Sequence, residues 1–129
     1  MVAARRSPYT LGRNRLRLRG LDQPYLFGYN AFVFQIQQTE AFAKWFVNLR
    51  DVRAKARILA RLDSVRLGNM GDAKSVGGGV SEMRIDVGAG YRVFYTRRQR
   101  VTLILLCGGD KSTQAKDIAN AKLMVQEIE

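Results

Sequence analysis

The sequence predicts an α+β fold, and three patterns carry that reading. Apolar residues recur at helical spacing in two adjacent stretches, one after Thr39 and one after Asp51. Apolar and polar residues then alternate from Val80 to Thr96 on either side of Gly88-Ala89-Gly90, the pattern of a β-hairpin. Val101–Leu106 (VTLILL) is unbroken apolar sequence, as expected of a central strand covered on both faces. A chain of 129 residues is long enough for one domain around one hydrophobic core.

Taken in order, Met1–Asn30 stands apart from the rest. Arg5, Arg6, Arg13, Arg15, Arg17 and Arg19 face a single acid, Asp22, and both prolines, Pro8 and Pro24, lie here. No periodicity lasts long enough to predict an element. The segment reads as a flexible basic extension, as a nucleic-acid-binding arm, or as a product of start-site choice. The domain itself spans 31–129. Ala31–Gln37 (AFVFQIQ) reads as its first strand, and Thr39 then caps a helix. Phe42, Trp45, Phe46 and Leu49 form that helix's core stripe, with Trp45 a buried anchor rather than a base-stacking platform. Arg50-Asp51 interrupts, and a second helix runs to about Leu67 with Ala54, Ile58, Leu62 and Val65 on its buried side. Gly68 fits a left-handed C-terminal cap, and the two helices make an αα-hairpin. Arg53, Lys55, Arg57, Arg61 and Arg66 decorate the second helix, as solvated charges or as the lining of a groove.

Gly68–Gly79 is a glycine-rich connection without Walker or dinucleotide spacing, holding a short strand at Lys74–Val76. In the β-hairpin, a loop of only Gly88–Gly90 sets Val87 opposite Tyr91. Met83, Ile85, Val87, Tyr91, Val93 and Tyr95 then share one face, and Glu82, Arg84, Asp86 and Arg92 the other. Such a polar face is either solvated or anion-binding. Arg97–Arg100 reads as a turn. Gly108-Gly109-Asp110 ends the central strand, and a helix from about Thr113 closes the chain with Ile118, Ala121, Leu123 and Val125 as its apolar positions.

Charge and composition narrow the function. Lys and Arg number 22 against 11 Asp and Glu, a net charge of +11, which favours a polyanionic partner, nucleic acid or an acidic protein segment. The absence of histidine removes His-based triads, His general bases and most zinc sites. Cys107 is the single cysteine, so no intrachain disulfide forms and a reducing cytoplasm fits. It reads as a packed strand-end residue, since no histidine is present to activate it. No apolar run approaches the roughly 18 residues that span a bilayer, so no membrane role is expected. No metal and no cofactor are implied.

Arg84 and Arg92 project from the polar face of the β-hairpin. Lys111, Ser112 and Gln114 sit in the turn after the central strand, at a helix N-terminus that favours anions. The bland reading of Arg92 is a cross-strand ion pair with Asp86, and that of Lys111 and Ser112 an ordinary helix start. A phosphodiester can be cleaved without histidine or metal when cations stabilise and align the charged transition state. RNA supplies its own nucleophile, the 2′-OH. Lys111, Asp117, Glu82 or a tyrosine could assist proton transfer.

Four segments resemble a known family: TEAFAKWFVNLRDVRAKARILARL, GNMGDAKSVGGGVSEMRID, GAGYRVFY and LLCGGDKSTQAKDI. They look like the RelE/ParE superfamily of type II toxin–antitoxin toxins, and most like its HigB-like addiction module killer protein group, related to phage Gp49-like proteins. The resemblance covers about Phe32 to Ala121. It implies a compact RelE-like fold, with an N-terminal strand, an αα-hairpin, an antiparallel sheet and a C-terminal helix. It also implies a cytoplasmic, ribosome-dependent, metal-independent endoribonuclease (an mRNA interferase) whose partners are ribosome, mRNA and a cognate antitoxin in a hetero-oligomeric complex. The arginine that follows Gly-Tyr in RelE-type toxins matches Arg92, the basic residue of the preceding strand Arg84, and the basic residue after the last strand Lys111. These three are the expected catalytic residues, with Lys74, Ser112, Gln114 and Asp117 assigned to substrate binding. The second lysine of the RelE pattern falls on Glu82, its C-terminal tyrosine falls near Asp117, and the histidine of some HigB toxins has no counterpart. The proton-transfer residue is therefore unassigned. ParE-type relatives, which poison DNA gyrase without a nuclease site, are the rival reading, and an inactive antitoxin-binding remnant is a third.

Overall fold

The computed structural model describes residues 34–100 and 102–128, together with three short strands before them. These are β1 (Leu18–Gly20), β2 (Leu26–Phe27) and β3 (Ala31–Phe32). The rest of the basic N-terminal extension lies outside the described residues, as does Val101 at the expected start of the central strand. There follow β4 (Gln35–Thr39), α1 (Glu40–Asn48), α2 (Val52–Arg66), β5 (Ala73–Gly77), β6 (Val80–Ile85), β7 (Tyr91–Arg98), β8 (Thr102–Gly109) and α3 (Gln114–Glu127). The α+β expectation holds.

Local chemistry accounts for the helices. Thr39 caps α1 by accepting from the Phe42 N–H at 3.1 Å, and its hydroxyl also donates to the Leu106 carbonyl at 2.6 Å, tying the helix start to β8. Asp51 caps α2 through the Ala54 N–H at 3.0 Å. Ala54, Ile58, Leu62 and Val65 are all buried, and Gly68 follows with φ +98°. Arg61 is not a solvated decoration: its guanidinium donates to the carbonyls of Met70, Asp72 and Arg84, pinning α2 to the β5 approach and to β6.

One sheet runs in the order β1-β4-β8-β7-β6-β5, while β2 and β3 pair separately. It is antiparallel except where β4 lies parallel to β8. The single run expected at Ala31–Gln37 is divided between β3, which pairs with β2, and β4, which joins the large sheet. Strand β5 extends the short strand expected at Lys74–Val76 by one residue at each end, and β7 continues to Arg98, leaving Gln99-Arg100 as the turn.

The β6–β7 register corrects a second expectation. Ile85 lies opposite Tyr91 and Arg84 opposite Arg92, so the connection holds five residues, not three. A slip of two leaves every side chain on its expected face while changing its partner. On one face, α1 and α2 cover Ile36, Met83, Ile85, Val93, Tyr95, Leu103 and Leu105. On the other, α3 covers Val80, Phe94, Ile104, Leu106 and Cys107 with Ala121 and Met124. Leu123, expected among the apolar contacts of α3, is instead 41% exposed, and Met124 takes the core position.

A β-bulge decides how β8 ends. Phe94 pairs with Cys107 and Tyr95 with Leu105, so Leu106 is the extra residue and the parity of β8 reverses after it. Gly108 then faces α1 and Gly109 faces α3. A Cβ on Gly108 would fall inside the Trp45 ring, and one on Gly109 would collide with the Asp117 carboxylate. At Gly108 a side chain would displace the Trp45 ring, and at Gly109 it would force the Asp117 and Thr113 side chains from their present place.

Candidate functional site

The same bulge assembles the polar end of the sheet. With Gly109 opposite Arg92, the turn that leaves β8 arrives beside the β6–β7 connection. The Lys111 N–H donates to the Ala89 carbonyl at 3.4 Å, and the Cβ of Lys111 lies 3.6 Å from where a Cβ on Gly90 would stand. Lys111–Thr113 form one 3-10 turn that leads directly into α3. The Lys111 turn thus lies beside the β6–β7 connection, at the end of the strands where Arg84 and Arg92 stand opposite each other.

Their electrostatic settings differ. Arg92 is nearly buried, with 11% of its side chain exposed; its Nη1 donates to the Gly90 carbonyl at 2.9 Å. Its Nε faces the Glu82 carboxylate at 3.7 Å, and Glu82 is wholly buried. The expected ion pair with Asp86 is therefore replaced by one with Glu82. The two-residue slip moves Asp86 off the strand into the exposed connection. Glu82 is also not part of a solvated face. Its other oxygen accepts from the Gln114 side-chain amide at 2.9 Å. Arg84 turns the opposite way, its Nη2 and Nε donating to Asp72 at 3.0 and 3.2 Å in a surface pair. Lys111 is exposed, and among the described residues nothing pairs with its ammonium group.

The remaining expected contacts divide. Ser112 donates through both its N–H and its hydroxyl to Asp110, and these bonds hold the Asp110 carboxyl below its usual range. Lys74 is exposed and lies opposite Glu82 on β5, at the margin of the group. Gln114 belongs to the centre through Glu82. Asp117 does not reach Arg92's pair: one oxygen accepts from the Thr113 hydroxyl at 2.6 Å, it packs on Gly109, and burial raises its pKa. Tyr91 stands on the opposite face beside Trp45, donating to Asp51 at 3.3 Å, with burial and that carboxylate raising its pKa. Cys107 is sealed under α3, and burial pushes its thiol up to about 12, as befits a packed residue.

Two features escaped sequence reasoning. The Glu82–Gln114 bond joins residues 32 positions apart, and no local pattern announces it. The Arg61 clamp reads in sequence like any helix-surface arginine, because its acceptors are backbone carbonyls.

Comparison with known proteins gives two results. A family model described as "Phage derived protein Gp49-like (DUF891)" matches residues 44–128. An uncharacterized protein of Haemophilus influenzae (strain Rd) is 53% identical over 94 residues, which cover 73% of this chain and 95% of that protein. No solved structure matches. The family match takes in the αα-hairpin from Lys44 onward, the β-hairpin, the central strand and α3, and so the whole polar end of the sheet.

Proposed function

Because the chain belongs to the phage-derived Gp49-like family, which is associated with toxins of toxin–antitoxin systems, we propose that it is a RelE/HigB-type toxin that cleaves mRNA on the ribosome. The single observation that supports this most is that Arg92, opposite Arg84 in the β6–β7 register, and the Lys111 turn lie at one end of the sheet. Cations on these neighbouring elements suit one phosphodiester, with Arg84 exchanging its Asp72 pair for the phosphate. The 2′-oxygen attacks the adjacent phosphorus, forming a cyclic phosphate as the bond to the 5′-oxygen breaks. Arg92 and Arg84 stabilise the charge that grows on the phosphoryl oxygens. One such donor is worth about a hundredfold or more in rate when it is preorganised in a site that excludes water.

The proton acceptor and donor must come from groups that reach the reacting atoms. Glu82 is wholly buried, the nearer tyrosine faces the other side of the sheet, and Asp117 is engaged by Thr113. Lys111 is exposed, and we assign it the delivery of a proton to the departing 5′-oxygen, while the proton of the attacking 2′-OH passes to solvent water. Ser112, Gln114 and Lys74 border the path that the RNA backbone would follow. The strongly basic chain suits both RNA and an acidic antitoxin segment, and the antitoxin is the partner that family membership implies.

The decisive test incubates purified protein with ribosomes programmed by a short defined mRNA. Cleavage within the decoding site, leaving a 2′,3′-cyclic phosphate, is expected. Intact mRNA together with trapped gyrase–DNA breaks in a parallel topoisomerase assay would move the chain to the ParE-type reading.

A further inference from the structure

Among the described residues, Glu82 is the one charged side chain in the fully buried class. A carboxylate withdrawn from water costs several kcal/mol unless it is compensated. Here compensation comes from two directions. Oε1 accepts from Gln114 at 2.9 Å, while Oε2 receives no hydrogen bond and faces Arg92 Nε at 3.7 Å. The Arg92 Nε is buried and donates to nothing. The two unsatisfied atoms are therefore each other's only complement, an ion pair held beyond the 2.7–2.9 Å of a charge-assisted hydrogen bond.

The connections of this carboxylate give it a particular place. Arg92 also donates through Nη1 to the Gly90 carbonyl, so Glu82 and the turn engage the guanidinium at two of its nitrogens. Gln114 is the first residue of α3 and directly follows the 3-10 turn of Lys111–Thr113. One buried side chain thus touches Arg92 and the element that carries Lys111. Being wholly buried, it cannot touch substrate. We infer that Glu82 is a positioning residue, which locks Arg92 and, through Gln114, the Lys111 turn into one rigid unit facing the RNA phosphate. The RNA part of this statement rests on the function proposed above; the locking does not.

The test uses the full chain with Glu82→Gln, which keeps shape and an acceptor for Gln114 but removes the charge, and with Gln114→Ala, which cuts the link to α3. Nitrogen–proton NMR correlations are recorded for the Arg92 Nε–H and the Lys111 backbone N–H, and mRNA cleavage on programmed ribosomes gives kcat and KM. Both signals are expected to shift in Glu82→Gln, with kcat falling about tenfold or more while KM stays within about threefold, because no cation has been lost. Gln114→Ala is expected to move the Lys111 signal and to lower kcat in the same sense. A generally destabilised protein would shift signals throughout the sheet, whereas the lock predicts changes confined to these two elements. Folded variants whose Arg92 and Lys111 signals coincide with those of the wild type would overturn the inference, as would undiminished kcat in Glu82→Gln. If the wild type leaves mRNA intact, the proposed nuclease function fails, and the NMR comparison alone decides the lock. If Glu82→Gln does not fold, Glu82→Asp, which keeps the charge but shortens its reach, takes its place, and an unmoved Arg92 Nε–H signal there overturns the inference.

Discussion

The two faces of the sheet come from the same alternating strands and are closed in opposite ways. Under the αα-hairpin, Ile36, Ile58, Leu62, Met83, Val93 and Leu105 pack in one apolar cluster, with the Arg61 clamp at its β5–β6 side. Under α3, apolar packing runs through Val80, Phe94, Ile104 and Met124 and then gives way to Glu82, Gln114 and Arg92. The first face only has to be stable. The second is stable at one end, and at the other it stores a charge that makes sense only with its partner in place. Where α3 begins, at Gln114, it meets this face with a polar side chain, and Glu82 and Arg92 are buried there as a charged pair.

The sharpest way to break this contrast is at Arg92. Arg92→Ala leaves Glu82 buried with its charge unpaired and only the Gln114 hydrogen bond to compensate it, and is expected to cost roughly 3–5 kcal/mol of stability, read as a drop in the urea midpoint. Joining it with Glu82→Leu should restore most of that loss, since an apolar residue then continues the α3 core, while leaving the protein inactive. On the αα-hairpin face no such rescue pair exists, because a truncation such as Leu105→Ala leaves a cavity rather than a charge.

The boundary between the apolar and polar halves of the α3 face can be sharpened at Cys107. Its thiol titrates near 12 when folded, above the unfolded value of about 9. The unfolded chain therefore gives up a proton that the folded chain keeps, and stability is intact below pH 9 and falls between 9 and 12. The slope from this one group is about 1.4 kcal/mol per pH unit. Cys107→Ala should flatten the decline by that amount in urea titrations across the window. In the native protein at pH 8, Cys107 should resist thiol reagents until the chain unfolds.

How much of this was legible in sequence differs between the same two regions. Helix limits and buried stripes were readable because their signals are local: the Thr39 and Asp51 caps, the four- and three-residue spacing through Ala54, Ile58, Leu62 and Val65, and the glycine at 68. Face assignments in the β-hairpin survived because a slip of two preserves parity, but the partner of Arg92 did not, because the glycines of the connection do not count the residues on either side of them. Alternation placed Glu82 correctly with Arg84 and Arg92, yet its burial depends on where α3 begins, a relation across 32 residues. The parallel pairing of β4 with β8 is equally non-local.

The smallest expected change in stability belongs to the largest expected change in function. Lys111 is exposed and unpaired among the described residues, so Lys111→Ala should alter stability by no more than about 0.5 kcal/mol. The most direct measurement is to induce the wild type and Lys111→Ala in cells and map mRNA 5′ ends. A ribosome-dependent nuclease with Lys111 as its proton donor makes translation-dependent cuts at fixed positions within codons in the wild type and loses them in the equally stable variant. Cuts that persist undiminished in Lys111→Ala, or growth arrest by the wild type with its mRNA intact, would contradict this mechanism.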